Sequence, residues 1–125
     1  MSELKDFLKI SHNSSNKKLK AKLRSFELND SGHFVIYIPS IQVSSYGKDR
    51  DEARQMMDVV LNDFAATLML QPLNKVISDL KTLGWIQSPF FKTELSQKSH
   101  IDAQGILRDF DMAENTEINE SLVTI

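Results

Sequence analysis

The side chains in this chain that are best suited to binding or catalysis form two groups of opposite charge. The first is a basic row near the start, with a cation at every second position: Lys18, Lys20, Lys22 and Arg24. The second is an acidic cluster near the end: Asp109, Asp111, Glu114 and Glu117. A cation at every second position predicts a strand with one charged face, which can follow a phosphate backbone. The acidic cluster can bind a basic protein partner.

No pattern in the sequence predicts catalysis. His12, His33 and His100 lack the spacing of metal ligands, and the chain contains no cysteine to supply a thiolate. It also lacks a glycine-rich phosphate loop, a nucleophile elbow and a paired acid–base motif. We therefore expect a binding protein that is not an enzyme and uses no metal or cofactor.

The composition is typical of one soluble domain. The 125 residues are 41% hydrophobic and 26% charged, with a formal net charge of −2, which is ordinary for a globular chain. The apolar runs are short and broken by charge, so no membrane segment is predicted. Glu3, Lys5 and Asp6 fall where a signal peptide needs an unbroken apolar segment. We expect a cytoplasmic protein.

Residues 1–16 are predicted to be an N-terminal arm, and residues 17–125 a single α+β domain. In the arm, Leu4, Phe7 and Leu8 share one side of a short helix, and a polar linker follows. A frayed terminus is the alternative interpretation.

Three antiparallel strands are predicted after the arm. The first contains the basic row, with a bulge or twist near Ser25 where its apolar residues change phase. Residues 29–32 (Asn-Asp-Ser-Gly) are typical of a turn between strands. Residues 33–38 are apolar on both faces, as in a central strand, and Pro39 ends that strand because proline cannot donate to a ladder. A third short strand ends at Gly47.

Two amphipathic helices are predicted next. Asp49 and Glu52 have the spacing of a capping box that starts the first helix. Pro72 separates the two helices, and Gly84 ends the second. Both apolar stripes are expected to cover one face of the sheet, with Trp85 in the core.

The last third of the chain is strand-like. Residues 90–95 can pair with a sheet edge, residues 100–107 can form a hairpin, and residues 121–125 can add a closing strand. The predicted fold is therefore α+β: a three-stranded antiparallel meander, two helices packed on one face, and additional C-terminal strands.

One stretch of this order is more specific. A strand ends at Tyr37-Ile38-Pro39, a hydrophobic loop leads to Gly47, and a helix opens with Asp49 as its cap and Glu52-Ala53 in its first turn. Over about residues 19–64, this pattern resembles the HicB-like antitoxin family. It differs from that family in residues 40–44, where members have an acidic residue and a Pro-Gly-Cys turn, and in its longer helical region.

The resemblance implies a fold related to a truncated ribonuclease H domain. It also implies an antitoxin-like role, in which the domain masks a small basic ribonuclease toxin; the acidic cluster is the candidate surface for that partner. Ribonuclease H chemistry needs carboxylates on the central strands to hold divalent metal, and residues 34–38 have none. No helix-turn-helix or ribbon pattern is present, so we expect no operator binding.

Two alternatives remain at this stage. The basic row can bind RNA, and only Tyr37 and Tyr46 are close enough to it in sequence to stack on bases. The row can also be a solvated strand face whose lysines discourage pairing between sheet edges. The protein can also be a structural homodimer, joined through a sheet edge or the second helix.

Overall fold

The computed structural model describes residues 5–12, 17–91, 93–97, 105–106, 108 and 117–125. Its main elements are β1 (Phe7–His12), β2 (Lys17–Asp30), β3 (His33–Ile38), β4 (Val43–Gly47), α1 (Arg50–Met69), α2 (Leu73–Thr82), β5 (Trp85–Gln87), β6 (Glu94–Gln97) and β7 (Ile118–Thr124). The strands form one seven-stranded sheet, and every described pairing is antiparallel. The predicted α+β fold, with its meander, two helices and extra C-terminal strands, is confirmed.

The long strand β2 organises the sheet. Its first part pairs with β1 and its last part with β3, while β7 pairs with its middle and overlaps both. A paired residue has one neighbour at each edge, and Lys22 pairs with both Phe7 and Thr124. It follows that β7 lies along one edge of β2, and that β1 and β3 follow one another along the other edge.

The N-terminal segment is a strand, so the predicted helix is wrong for the residues that the structure describes. β1 lies between β2 and β6, and its Leu8 and Ile10 are buried in the main core. Their alternation with Phe7 and Lys9 has the period of a strand. Ladder pairing with β2 on one edge and β6 on the other holds the backbone of β1 inside the sheet.

Of the bulge or twist predicted near Ser25, the bulge is wrong, because the pairing of β2 with β7 continues without interruption from Lys22 to Leu28. Leu19, Ala21 and Leu23 face the main core, which is shared with α1. On the opposite face of β2, the last residues are buried in a second, smaller core that contains Phe26, Leu28, Val35 and Ile106. The apolar residues change phase because the first part of β2 is buried on the face of the main core, and its last part is also buried on the opposite face, in the second core.

Helix α1 begins and packs as predicted. Asp49 is the N-cap, and its Oδ1 accepts the Glu52 backbone N–H at 2.8 Å, while the Glu52 carboxylate accepts the Lys48 N–H at 3.3 Å. The buried face consists of Ala53, Met57, Leu61 and Leu68. Met56 has an apolar spacing that fits the same stripe, but it is exposed.

Helix α2 follows directly after the predicted break. Pro72 occupies its N-cap position, and Val76 and Leu80 are its buried residues. Gly84, just past the end of the helix, has φ +95°, a conformation that favours glycine. Trp85 is buried in the core, as predicted.

The C-terminal predictions are confirmed in part. Phe90 and Phe91 lie in the β5–β6 loop, and the strand begins only at Glu94. Residues 105, 106 and 108 are helical rather than part of a hairpin, and residues 98–104 and 107 lie outside the described residues. β7 provides the closing strand. Across the described residues, neither helix is both long and apolar enough to cross a membrane.

Candidate functional site

The exposed face of β1 and β2 carries a group of lysines. Lys18, Lys20 and Lys22 are all exposed, on the face of β2 that points away from the main core. Lys9 of β1 is directly opposite Lys20 in the register of the two strands. We call these four residues the lysine row: Lys9, Lys18, Lys20 and Lys22.

Apolar side chains lie next to the lysine row. Phe7 is directly opposite Lys22 on β2 and Ser96 on β6, and it is 41% exposed. One strand further on, Ile86 of β5 is paired with Ser96 and is also exposed. Strand alternation places these residues on the same face, so the sheet presents an exposed aromatic ring beside its cations.

Phe7 and Lys9 are not predicted as site residues from the sequence, because the spacing of Leu4, Phe7 and Leu8 predicts a helix there. The signal was present, since Phe7 and Lys9 alternate with the apolar Leu8 and Ile10.

Arg24 does not belong to this surface, although it continues the alternation of the basic row. It is only 3% exposed, because β7 passes beside it. Its Nε lies 2.6 Å from Oε1 of Glu120, and its guanidinium stands 5.1 Å from the centroid of the Phe26 ring. The prediction that Arg24 contacts RNA is therefore wrong; Arg24 attaches β7 to β2.

The other predicted site residues are separated from the lysine row. Tyr37 is partly buried against the second core, and Tyr46 is exposed on β4, beyond β3 from β2. Of the acidic cluster, Glu117 is exposed just before β7, whereas Asp109, Asp111 and Glu114 lie outside the described residues. His33 is exposed, His100 lies outside them, and the side chain of His12 is not described.

The residues of the family-like motif support the architecture. Pro39 lies in the turn after β3. At Gly47 a Cβ would stand 2.5 Å from the backbone nitrogen of Ala53, so this close approach of β4 to α1 requires glycine. Ser45 Oγ donates to the Ala53 carbonyl at 2.8 Å, which fixes the first turn of α1 against β4.

A second polar feature lies where β1 and β3 leave a gap along the edge of β2. The backbone N–H of Arg24 points into this gap and donates to Oδ1 of Asp6 at 2.7 Å. Asp6 is 8% exposed. Burial raises the pKa of the Asp6 carboxyl, and the Glu120 charge acts in the same direction, whereas hydrogen bonds from the Arg24 amide and the Ser40 side chain and the Arg24 charge oppose the rise.

Ser40 forms another wall of the gap, and its backbone is firmly held. Its carbonyl oxygen accepts the indole N–H of Trp85 at 2.9 Å and Nε2–H of Gln97 at 3.3 Å. Gln97 also donates to the Leu83 carbonyl. The buried Ser40 hydroxyl lies beside the Asp6 carboxyl, an acceptor to which it can donate. A cavity of about 120 Å³ opens beside it.

Neither feature has the composition of a metal centre. In the part of the chain that the structure describes, no three His, Cys, Asp or Glu residues cluster closely enough to hold a metal ion. Comparison with protein-family models, curated proteins and solved structures finds no match to this chain.

Proposed function

We propose that this protein is a non-catalytic binding module that holds single-stranded RNA on the lysine row. The observation that carries the proposal is the pairing of Lys9 directly opposite Lys20. Like charges opposite one another on adjacent strands repel and destabilise the sheet. Glu94 is 4.0 Å from Lys9 and is the only described carboxylate in an ion pair with the row. Phosphate groups supply the missing negative charge.

The spacing of the row suits an extended strand of RNA. Alternate residues of a β-strand lie about 6.7 Å apart, so Lys18, Lys20 and Lys22 form a regular line of cations. Phe7 lies directly opposite the last of them and offers a ring on which a base can stack. Cations that follow the backbone, with an aromatic ring beside them, are how proteins bind single strands without reading the sequence.

The charge of this face argues against self-association through it. Two copies docked face to face would bring two lysine rows together, and the repulsion would be strongest where water is excluded. The homodimer predicted from the sequence therefore needs another surface, and it stays a prediction.

The antitoxin-like role also stays a prediction. It is supported by the order of β2, β3, β4 and α1, which is the order that the HicB-like resemblance implies. Its proposed partner surface rests on the acidic cluster, of which only Glu117 is described. The lysine row is the better-supported binding surface because its members are placed and exposed.

The test is fluorescence anisotropy with a labelled 12-nucleotide uridine-rich RNA over a series of salt concentrations. We compare two double variants with equal net charge: Lys20→Gln/Lys22→Gln on the lysine row, and Lys75→Gln/Lys81→Gln on α2. Each lost phosphate contact lowers the slope of log K against log salt by about 0.7 for a single strand. The first variant should lower that slope by about 1.4, and the second should leave it unchanged.

Equal losses in the two double variants would refute the site, since binding would then follow net charge alone. Phe7→Ala separates stacking from charge. It should weaken binding about 5-fold to 160-fold, as expected for about 1–3 kcal/mol of stacking, while leaving the salt slope unchanged. An RNA duplex of the same length should bind more weakly, because its bases are not free to stack on Phe7.

A further inference from the structure

We infer that the open edge of β4 binds an extended peptide of another protein. The peptide adds a strand to the sheet and inserts one apolar side chain between β4 and α1. Among the described residues, β4 pairs with β3 alone and is the last strand at its end of the sheet. Alternate residues of an edge strand direct their N–H and C=O groups away from the sheet, where a further strand can pair with them. This surface is separate from the lysine row and does not depend on RNA binding.

The sequence of β4 does not discourage a further strand. Proteins commonly protect an exposed edge with lysine, with proline or with a very short strand. β4 has five residues, Val43–Gly47, and none of them is charged or a proline. β5, at the opposite end of the sheet, has only three residues. The β4 end of the sheet therefore offers a peptide the longer unprotected ladder.

A pocket of about 300 Å³ lies between β4 and α1. Its volume is about twice the roughly 150 Å³ of an engineered cavity that holds benzene, so a leucine side chain fits inside. Such a side chain would remove the apolar walls of the pocket from water, which favours its insertion. These walls come from β4 and from successive turns of α1: Val43, Val60, Phe64 and Leu68.

The pleat of the sheet determines which peptide residue enters the pocket. Val43 packs against the main core, on the side of the sheet that α1 covers. Residues beside each other on neighbouring strands point to the same face, so the peptide residue opposite Val43 also points toward α1. Its side chain therefore reaches the pocket that Val43 lines. By alternation, Tyr46 lies on the opposite face, where its ring is 54% exposed and can pack against the next peptide side chain.

Asp63 indicates the charge of the peptide. This residue lines the pocket and is exposed, and no ion pair within the described part of the chain includes it. None of the residues that line the pocket is basic. A lysine two positions from the apolar residue lies on the same face of the peptide and can pair with this carboxylate.

A second copy of this chain fits the edge less well than a peptide does. Two antiparallel β4 strands paired over their full length would place Gly47 of one copy opposite Val43 of the other. Glycine has no side chain to fill the pocket. A peptide with leucine at that position fills it, so we assign the edge to a segment of a different protein.

The test is an NMR titration of the whole chain with the peptide acetyl-Thr-Lys-Thr-Leu-Thr-Lys-Thr-amide. We expect saturable shifts of the backbone amides in residues 43–47 and 60–68, with little change in residues 18–22. The same peptide with alanine in place of leucine keeps the charge and should bind about 10-fold more weakly or worse, because most of the apolar contact is lost. Absence of saturation with the leucine peptide, or equal affinity of the two peptides, would overturn the proposal.

Two further measurements test the added strand itself. A leucine peptide that is N-methylated at the leucine and at the following threonine loses one ladder donor toward β4 in either register, and it should not saturate. Retained binding would show that no strand is added. Shifts in residues 43–47 that depend on protein concentration without any peptide would also overturn the proposal, since a second copy would then occupy the edge.

Paired variants of α1 test the pocket. Thr67→Trp fills the pocket and should weaken binding of the leucine peptide about 10-fold or more. Ala66→Trp, at the neighbouring exposed position outside the pocket lining, is the control and should bind as the unaltered protein does. Both positions are exposed, so the fold is preserved in each variant. Equal affinity of the two variants would contradict the assignment of the pocket.

A second pair of variants tests the charge. Asp63→Asn should weaken binding of the leucine peptide about 2-fold to 5-fold, as expected for an exposed ion pair. Asp58→Asn removes the same charge from another exposed position on α1 and should leave the affinity unchanged. Equal losses in these two variants would refute the role of Asp63, since binding would then follow net charge alone.

Discussion

Leu8→Ala should lower the free energy of unfolding by about 3–4 kcal/mol, because β1 is an inner strand of the sheet. Leu8 is fully buried and is paired with Ala21 on β2 and Leu95 on β6, both of which are buried as well. The substitution removes three carbons from the centre of this arrangement. At about 0.8 kcal/mol per carbon, the loss of hydrophobic burial alone is about 2.4 kcal/mol.

A cavity penalty adds to this figure. The strands on both sides of Leu8 are fixed by their own hydrogen bonds, so the space left by the side chain can collapse only in part. Leucine-to-alanine substitutions in protein cores cost about 2–5 kcal/mol for this reason. An N-terminal helix outside the core would lose about 0.5 kcal/mol or less from the same change.

Urea unfolding measures the difference. With an m value of about 2 kcal/mol/M, the transition midpoint should fall by about 1.5–2 M. Phe7→Ala is the matched control, since Phe7 is the preceding residue on the opposite, exposed face of β1, and it should cost about 1 kcal/mol or less. Similar losses in the two variants, or a loss below about 1 kcal/mol for Leu8→Ala, would refute the placement of β1.

Three further predictions concern single positions. Burial raises the pKa of the Asp6 carboxyl above its ordinary value of 3.8, so the stability that this group contributes is present below that value and is lost as pH rises through the folded-state pKa. Asp6→Asn should therefore gain stability relative to the unaltered protein between pH 3 and pH 7 in urea unfolding. A difference in stability that stays constant over this range would contradict the prediction. Gly84→Ala should lower the free energy of unfolding by about 2–3 kcal/mol in thermal melts, since φ is +95° and the new Cβ would stand 2.6 Å from Oε1 of Gln97. Gly32→Ala is the control and should lower it less, because Gly32 has φ +86° but no atom within 4 Å of the new Cβ. Asp49→Ala should cost about 1 kcal/mol in the same melts through the loss of the α1 cap, and no change would argue against that cap.

The middle of the chain could be predicted well because its signals are local. The positive φ of Gly32, Pro39 at the end of β3, the Asp49 cap and Pro72 before α2 each act on the few residues around them. Backbone sterics and capping hydrogen bonds of this kind do not depend on the rest of the fold. These positions were therefore sufficient to predict the order of elements from β2 to α2.

The two ends of the chain could not be predicted because long-range pairing decides their structure. β1 is a strand because β2 and β6 lie on either side of it, and β6 is more than 80 residues away in sequence. Arg24 is buried because Glu120 reaches it from β7. No local pattern contains these partners, so both the inner position of β1 and the loss of Arg24 from the basic surface were missed.

The candidate sites show the same division. Alternation in β2 was enough to place Lys18, Lys20 and Lys22 on one face. Lys9 and Phe7 join them only through the register of β1 against β2. The gap that holds Asp6 beside Ser40 arises because β1 and β3 share one edge of β2, which is a property of the whole sheet.

The most direct test of the proposed function is a map of backbone amide shifts during titration with the 12-nucleotide single-stranded RNA. The lysine row predicts that the largest changes fall in residues 7–11 and 18–22, with little change in α1 and α2. Changes concentrated on the helices, or none at saturating RNA in low salt, would contradict the assignment of RNA binding to this face of the sheet.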